Sequence, residues 1–146
     1  MKKYLFAVVA SVLIVGMGIV IAIQAVNHKK MVDEKYRWVR SECESAGRFI
    51  SEYIETKDEE KYHHAVSRVY GAMIMALQID NDEQIVDLSL ELISAYGNLV
   101  RNPEESKAVL EQLGGALFDF GTEGSAEEAE QEIRAFNHAV TSMMEQ

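Results

Sequence analysis

Proline and cysteine each occur once in these 146 residues. A lone cysteine, Cys43, excludes an internal disulfide, and a chain whose single proline, Pro103, follows Asn102 at a plausible helix start is free to run in long helices. Strand signals are missing too, because no stretch of β-branched residues alternates with polar ones between turn signals. Basic residues are scarce. All 24 acidic residues lie beyond residue 31, against ten Lys and Arg, so residues 32–146 carry about −14. A phosphate-binding surface needs a basic stripe that this composition lacks, which argues against nucleic acid as a partner. From residue 80 onward the imbalance steepens to 15 acids against 3 bases, and anionic lipid would repel that half.

What is present is helical patterning of two kinds. The nineteen residues from Leu5 to Ile23 carry no charge and one polar side chain, Ser11. At about 1.5 Å per residue they reach roughly 29 Å, close to the thickness of a bilayer's hydrocarbon core. Lys2 and Lys3 before the run and Lys29 and Lys30 after it supply snorkelling ends. The apolar run is longer than that of a cleaved signal peptide, and Ile23 with Ala25 makes only a weak small-x-small site. The expected layout is a basic tail over 1–3, a transmembrane helix over 4–26, a juxtamembrane segment over 27–31 and an acidic α-helical domain over 32–146. A short tail with two lysines is that of a signal anchor held inside, which places the domain on the extracytoplasmic side of the cell membrane; Lys35, Arg37 and Arg40 pull the other way.

Beyond the anchor the fold class is all-α, a small antiparallel bundle of about five helices whose first is continuous with the membrane segment. Val32, Tyr36, Val39, Cys43, Ala46, Ile50 and Tyr53 recur at alternating spacings of four and three, a three-heptad seam. Thr56 with Glu59 reads as a capping box opening a second helix to about Ile79, whose uncharged half from Val69 should be buried all round. Asp80, Asn81 and Asp82 form a turn. The next helix spans Glu83 to Arg101 with its polar residues on one narrow stripe, the mark of a central helix. Asn102 and Pro103 start a helix running to about Phe120, and Ser125 with Glu128 caps a last one whose apolar face is Ala129, Ile133, Phe136, Val140 and Met143.

Candidate chemistry is thin. His63 and His64 are about 100° apart on a helix and cannot grip one metal together, and the better-spaced Glu60 and His64 leave a site without further ligands. Cys43, flanked by Glu42 and Glu44, is disfavoured as a thiolate and reads as a small core residue. Glu127, Glu128, Glu130 and Glu132 look like a solvated helix start, and the run from Asp80 to Ile85 lacks the glycine and distal glutamate of a calcium loop. No cofactor, metal or catalytic residue is expected, and no enzymatic activity.

One coincidence goes further. Ser11, Gly18, Ala22 and Ala25 form a small-residue stripe along the membrane helix, and the heptad of the later seam extended backward falls on the same residues. Together they form a helix-packing or dimer seam, with a parallel homodimer along one continuous helix from about Tyr4 to Glu55 as one reading and packing within the chain's own bundle as the other. Trp38, off the seam, is expected to pack against a helix of the bundle. The leading functional expectation is a non-enzymatic interaction, scaffold or regulatory module tethered to the membrane, its partner a membrane or envelope protein. The alternative is a ligand sensor with a pocket near Tyr70, Met73, Met75 and Tyr96.

Overall fold

The computed structural model describes residues 2–79 and 82–145, with side chains from Ile14 onward. Six helices account for nearly all of it: α1 (Lys2–Thr56), α2 (Glu59–Ala76), α3 (Glu83–Arg101), α4 (Pro103–Ala108), α5 (Leu110–Thr122) and α6 (Ala126–Met144). The all-α class holds, with no strand among the described residues. The chain divides into two compact units, Met1–Glu34 and Lys35–Gln146.

In the first unit the apolar side chains from Ile14 to Val26 stand in the open, with Ile14 66% and Val26 54% exposed. Among the described residues no helix is long and apolar enough to cross a membrane. The side chains of the expected span up to Leu13, Ser11 included, lie outside the described residues.

In the second unit five of the six helices form a ring, with the short α4 packed on α3 and α6. The α1 segment from Lys35 runs antiparallel to α2, as shown by Lys35 Nζ on the Gln78 carbonyl at 3.0 Å, Arg68 on Glu42 at 3.0 Å and the Tyr53 and Tyr62 rings at 5.5 Å. Antiparallel α2 and α3 are tied by the Tyr62 hydroxyl donating to the Leu99 carbonyl at 2.8 Å. Next, α3 packs on α6 and α6 on α5. The ring closes where α5 returns to α1: a Cβ on Gly47 would lie 2.7 Å from the Gly114 carbonyl oxygen, and one on Gly121 2.5 Å from Glu44. Only bare backbones fit at these approaches. Gly114 thus serves close packing, as its place in a helix interior suggests, while Gly115 meets nothing within 4 Å.

Local chemistry explains the helix ends and corrects three of them. Thr56 does not open α2. Its hydroxyl donates to the Glu52 carbonyl at 2.7 Å and accepts from the Asp58 amide at 3.3 Å, closing α1 instead. Lys57 turns the chain at φ 56°, and Asp58 caps α2 by accepting from Glu60 N. Asn102 makes no side-chain cap bond to α4. The helix expected from there to Phe120 is two helices, broken at Val109, because α4 packs on α3 and α6 while α5 must turn to meet α1. The third correction is α2, which stops at Ala76. The α6 capping box of Ser125 and Glu128 forms as expected, and Asp82 caps α3; Asp80 and Asn81 of the expected turn lie outside the described residues.

Candidate interaction face and cleft

The predicted seam separates into parts. Gly18, Ala22 and Ala25 are exposed, and Val32 and Tyr36 half-buried. Val39, Cys43, Ala46 and Ile50 are fully buried and Tyr53 nearly so, closed within one chain between α2 and α5. That stretch is buried within the chain's own bundle. Cys43 is inert for the same reason: burial, helped by the Glu42 charge, pushes its thiol up to about 12, far from the thiolate needed for nucleophilic or ligand chemistry.

Three expectations about burial are corrected. Trp38 is 57% exposed rather than packed away. The uncharged half of α2 is not buried all round: Val69, Ala72, Met73 and Ala76 face inward, while Tyr70, Ile74 and Leu77 stand out at four-and-three spacing. Helix α3 is not central either. Ile85, Leu88, Leu92, Ala95 and Leu99 are buried on one face, but Val86, Leu90, Ile93 and Val100 are 38 to 55% exposed on another. These four, with Gly97 between Ile93 and Val100, form a second heptad row that stays exposed among the described residues. A Cβ added at Gly97 would meet nothing within 4 Å. Tyr70 and Tyr96 join the two helices along this face, their rings 5.2 Å apart.

Sequence reasoning missed this row although its signal was present, in the same spacing that marked α1. Taken with the rest of α3, it read as extra core. Isolated exposed apolar residues are ordinary, whereas a contiguous apolar face on two packed helices marks an interaction surface.

Sharing Ile93 and Gly97 with the row, an open cleft of about 650 Å³ lies between the C-terminal halves of α3 and α6, lined also by Asn98, Arg101, Asn137 and His138. Its floor is a polar network. Asn137, 8% exposed, donates to the Glu91 carbonyl at 3.0 Å and carboxylate at 2.9 Å and accepts from Asn98 at 3.0 Å. Arg134 Nε bonds the Glu91 carboxylate at 2.9 Å, which raises its pKa further. The cleft is not where a pocket was expected: Tyr70 and Tyr96 pack against each other with their rings tilted at 47°, and Met73 is buried.

His64 lies 3.4 Å from Glu60 and stacks on Phe49 at 5.1 Å. Among the described residues no three His, Cys, Asp or Glu side chains are grouped to hold a metal ion. Comparison with protein-family models, curated proteins and solved structures gives no match for this chain.

Proposed function

We propose that this protein is a non-enzymatic, single-pass membrane protein whose acidic helical domain is an interaction module, held on the extracytoplasmic side by residues 4–26. The observation that carries the interaction role is the uncovered apolar face of Tyr70, Ile74, Leu77, Val86, Leu90, Ile93 and Val100 on a bundle whose interior is otherwise closed. Such a face is costly in water and is kept where a partner covers it. The anchor rests on the nineteen uncharged residues from Leu5 to Ile23 and the flanking lysines.

Flotation of the full chain with membranes after high-salt washing tests the anchor, and protease accessibility of a C-terminal tag on intact cells tests its direction. Recovery in the soluble fraction overturns the first, and a protected tag the second. For the face, Leu90→Glu is expected to abolish retention of whatever the tagged wild-type chain binds in membrane extracts, with circular dichroism unchanged; equal retention by both forms overturns it.

The cleft favours a second reading, a membrane-tethered sensor of a small ligand, since its size and mixed lining suit one. A thermal shift produced by a ligand in the wild type and lost in Arg101→Ala would select that reading.

A further inference from the structure

The open row on α3 is complementary to itself. Turned antiparallel about a dyad near Ser94 and Ala95, two copies of α3 bring Leu90 of each opposite Val100 of the other, and Ile93 opposite Gly97. The bulky Ile93 would meet the glycine whose Cβ direction is open. The edge is complementary too. Asp87, Ser94 and Arg101 share one heptad position beside the row, and antiparallel pairing sets Asp87 of each copy near Arg101 of the other, with the two Ser94 at the centre. Within one chain Asp87 and Arg101 are separated by about 21 Å of helix and cannot pair. A parallel pair would instead bring Asp82 toward Asp87, like charge on like charge. The remaining acid of this stretch, Glu91, is turned to α6 by Arg134 and Asn137.

We infer that the face is a homodimer interface, in which a second copy of this chain docks antiparallel on α3, flanked by Tyr70, Ile74 and Leu77 of α2. This names the partner of the face put forward above and rests on its being a docking surface, but not on the membrane anchor. An overlap about 24 Å long and two helices, about 20 Å, wide covers on the order of 1,000 Å² over both copies, the lower limit for a specific interface. The dimer is therefore weak and reversible.

Single cysteines placed in the full chain, purified in detergent and treated with a mild oxidant, read the arrangement, with buried Cys43 silent. Ser94→Cys is expected to crosslink two copies, and Leu90→Cys, roughly 15 Å from its own symmetry mate, is not. Crosslinking of Leu90→Cys without Ser94→Cys would make the pair parallel and overturn the inference. Crosslinking of the unmodified chain through Cys43 would move the seam to α1. Failure of both variants, with light scattering at the mass of one chain, would leave the face to another protein.

Asp87→Arg and Arg101→Asp are each expected to weaken dimerisation at least about tenfold, because each replaces two attractions by two repulsions. The double reversal D87R/R101D restores it. Both side chains are exposed, so unchanged helicity controls for folding, and a double variant no better than the singles overturns the pairing. These readouts use purified protein: failure of the anchor leaves them unaltered, and failure of the dimer leaves capture of another partner to be observed.

Discussion

Val39, Cys43, Ala46, Ile50 and Tyr53 on α1, and Val86, Leu90, Ile93, Gly97 and Val100 on α3, follow the same alternation of four and three, and by spacing alone they are equivalent. In the fold they part. The α1 row is sealed between α2 and α5, where Gly47 and Gly114 let two backbones meet. The α3 row stays exposed, because α3 has already spent another face, from Ile85 to Leu99, on the core. Periodicity fixes which residues share a face, and the closure of the ring decides which face finds a partner inside the chain.

The strongest challenge to that contrast is a matched truncation. Ile50→Ala is expected to destabilise the bundle by about 2–5 kcal/mol, the cost of a cavity, and Ile93→Ala by under about 1 kcal/mol, its effect falling on association instead. Urea unfolding of the two variants at low protein concentration checks this, and equal costs would break the comparison. Glycines give the next test, with opposite signs. Gly47→Ala forces α1 off α5 and should cost about 1–3 kcal/mol. Gly97→Ala, with nothing to strike in one chain, should stabilise the monomer by about 0.5–1 kcal/mol as helix interiors prefer alanine while weakening the dimer.

A further effect is seen in alkali. Burial raises the Cys43 thiol from 9.0 to about 12 and the Tyr62 phenol from 10.0 to about 12. The folded chain therefore holds both protons more tightly than the unfolded chain. Their contribution is fully present below about pH 9 and is lost as pH rises toward 12, with Cys43 alone accounting for about 1 kcal/mol by pH 10. Urea midpoints measured between pH 8 and 11 should fall accordingly, and Cys43→Ala should delay the onset by about one pH unit. A wild-type curve flat through pH 10.5 would mean that the α1 row is not sealed.

Much of the fold was legible because its signals are local. Ser125 accepts from a helix amide where a cap was expected, and α3 keeps its predicted bounds, Glu83 to Arg101. Thr56 was misassigned because a hydroxyl can close one helix as readily as open another, and only the competing carboxylate of Asp58 decides between them. The break at Val109 carries no glycine or proline signal; it follows from where α4 and α5 find their partners. Of the candidate face only the spacing was legible, not its exposure. Leu88 and Leu90 look alike along the chain, and whether a leucine is covered depends on helices far away in sequence. Asn137 likewise gave no hint that it would join Glu91 to Asn98 across α3 and α6.

Arg40 stands five residues into the second unit, where α1 enters the bundle. Its guanidinium donates to the Phe120 carbonyl at 2.9 Å and the Gly124 carbonyl at 2.8 Å, and it lies over the Phe120 ring at 4.9 Å. The Phe120 carbonyl belongs to the last turn of α5, where the helix dipole is negative, and Gly124 lies just beyond it. A pull on α1 along its axis would load this fastening in shear, together with the side chains α1 buries against α2 and α5. Shear loads many contacts at once, whereas peeling breaks them one by one. By placing its cation at the point of entry, the chain resists being drawn out of its own domain.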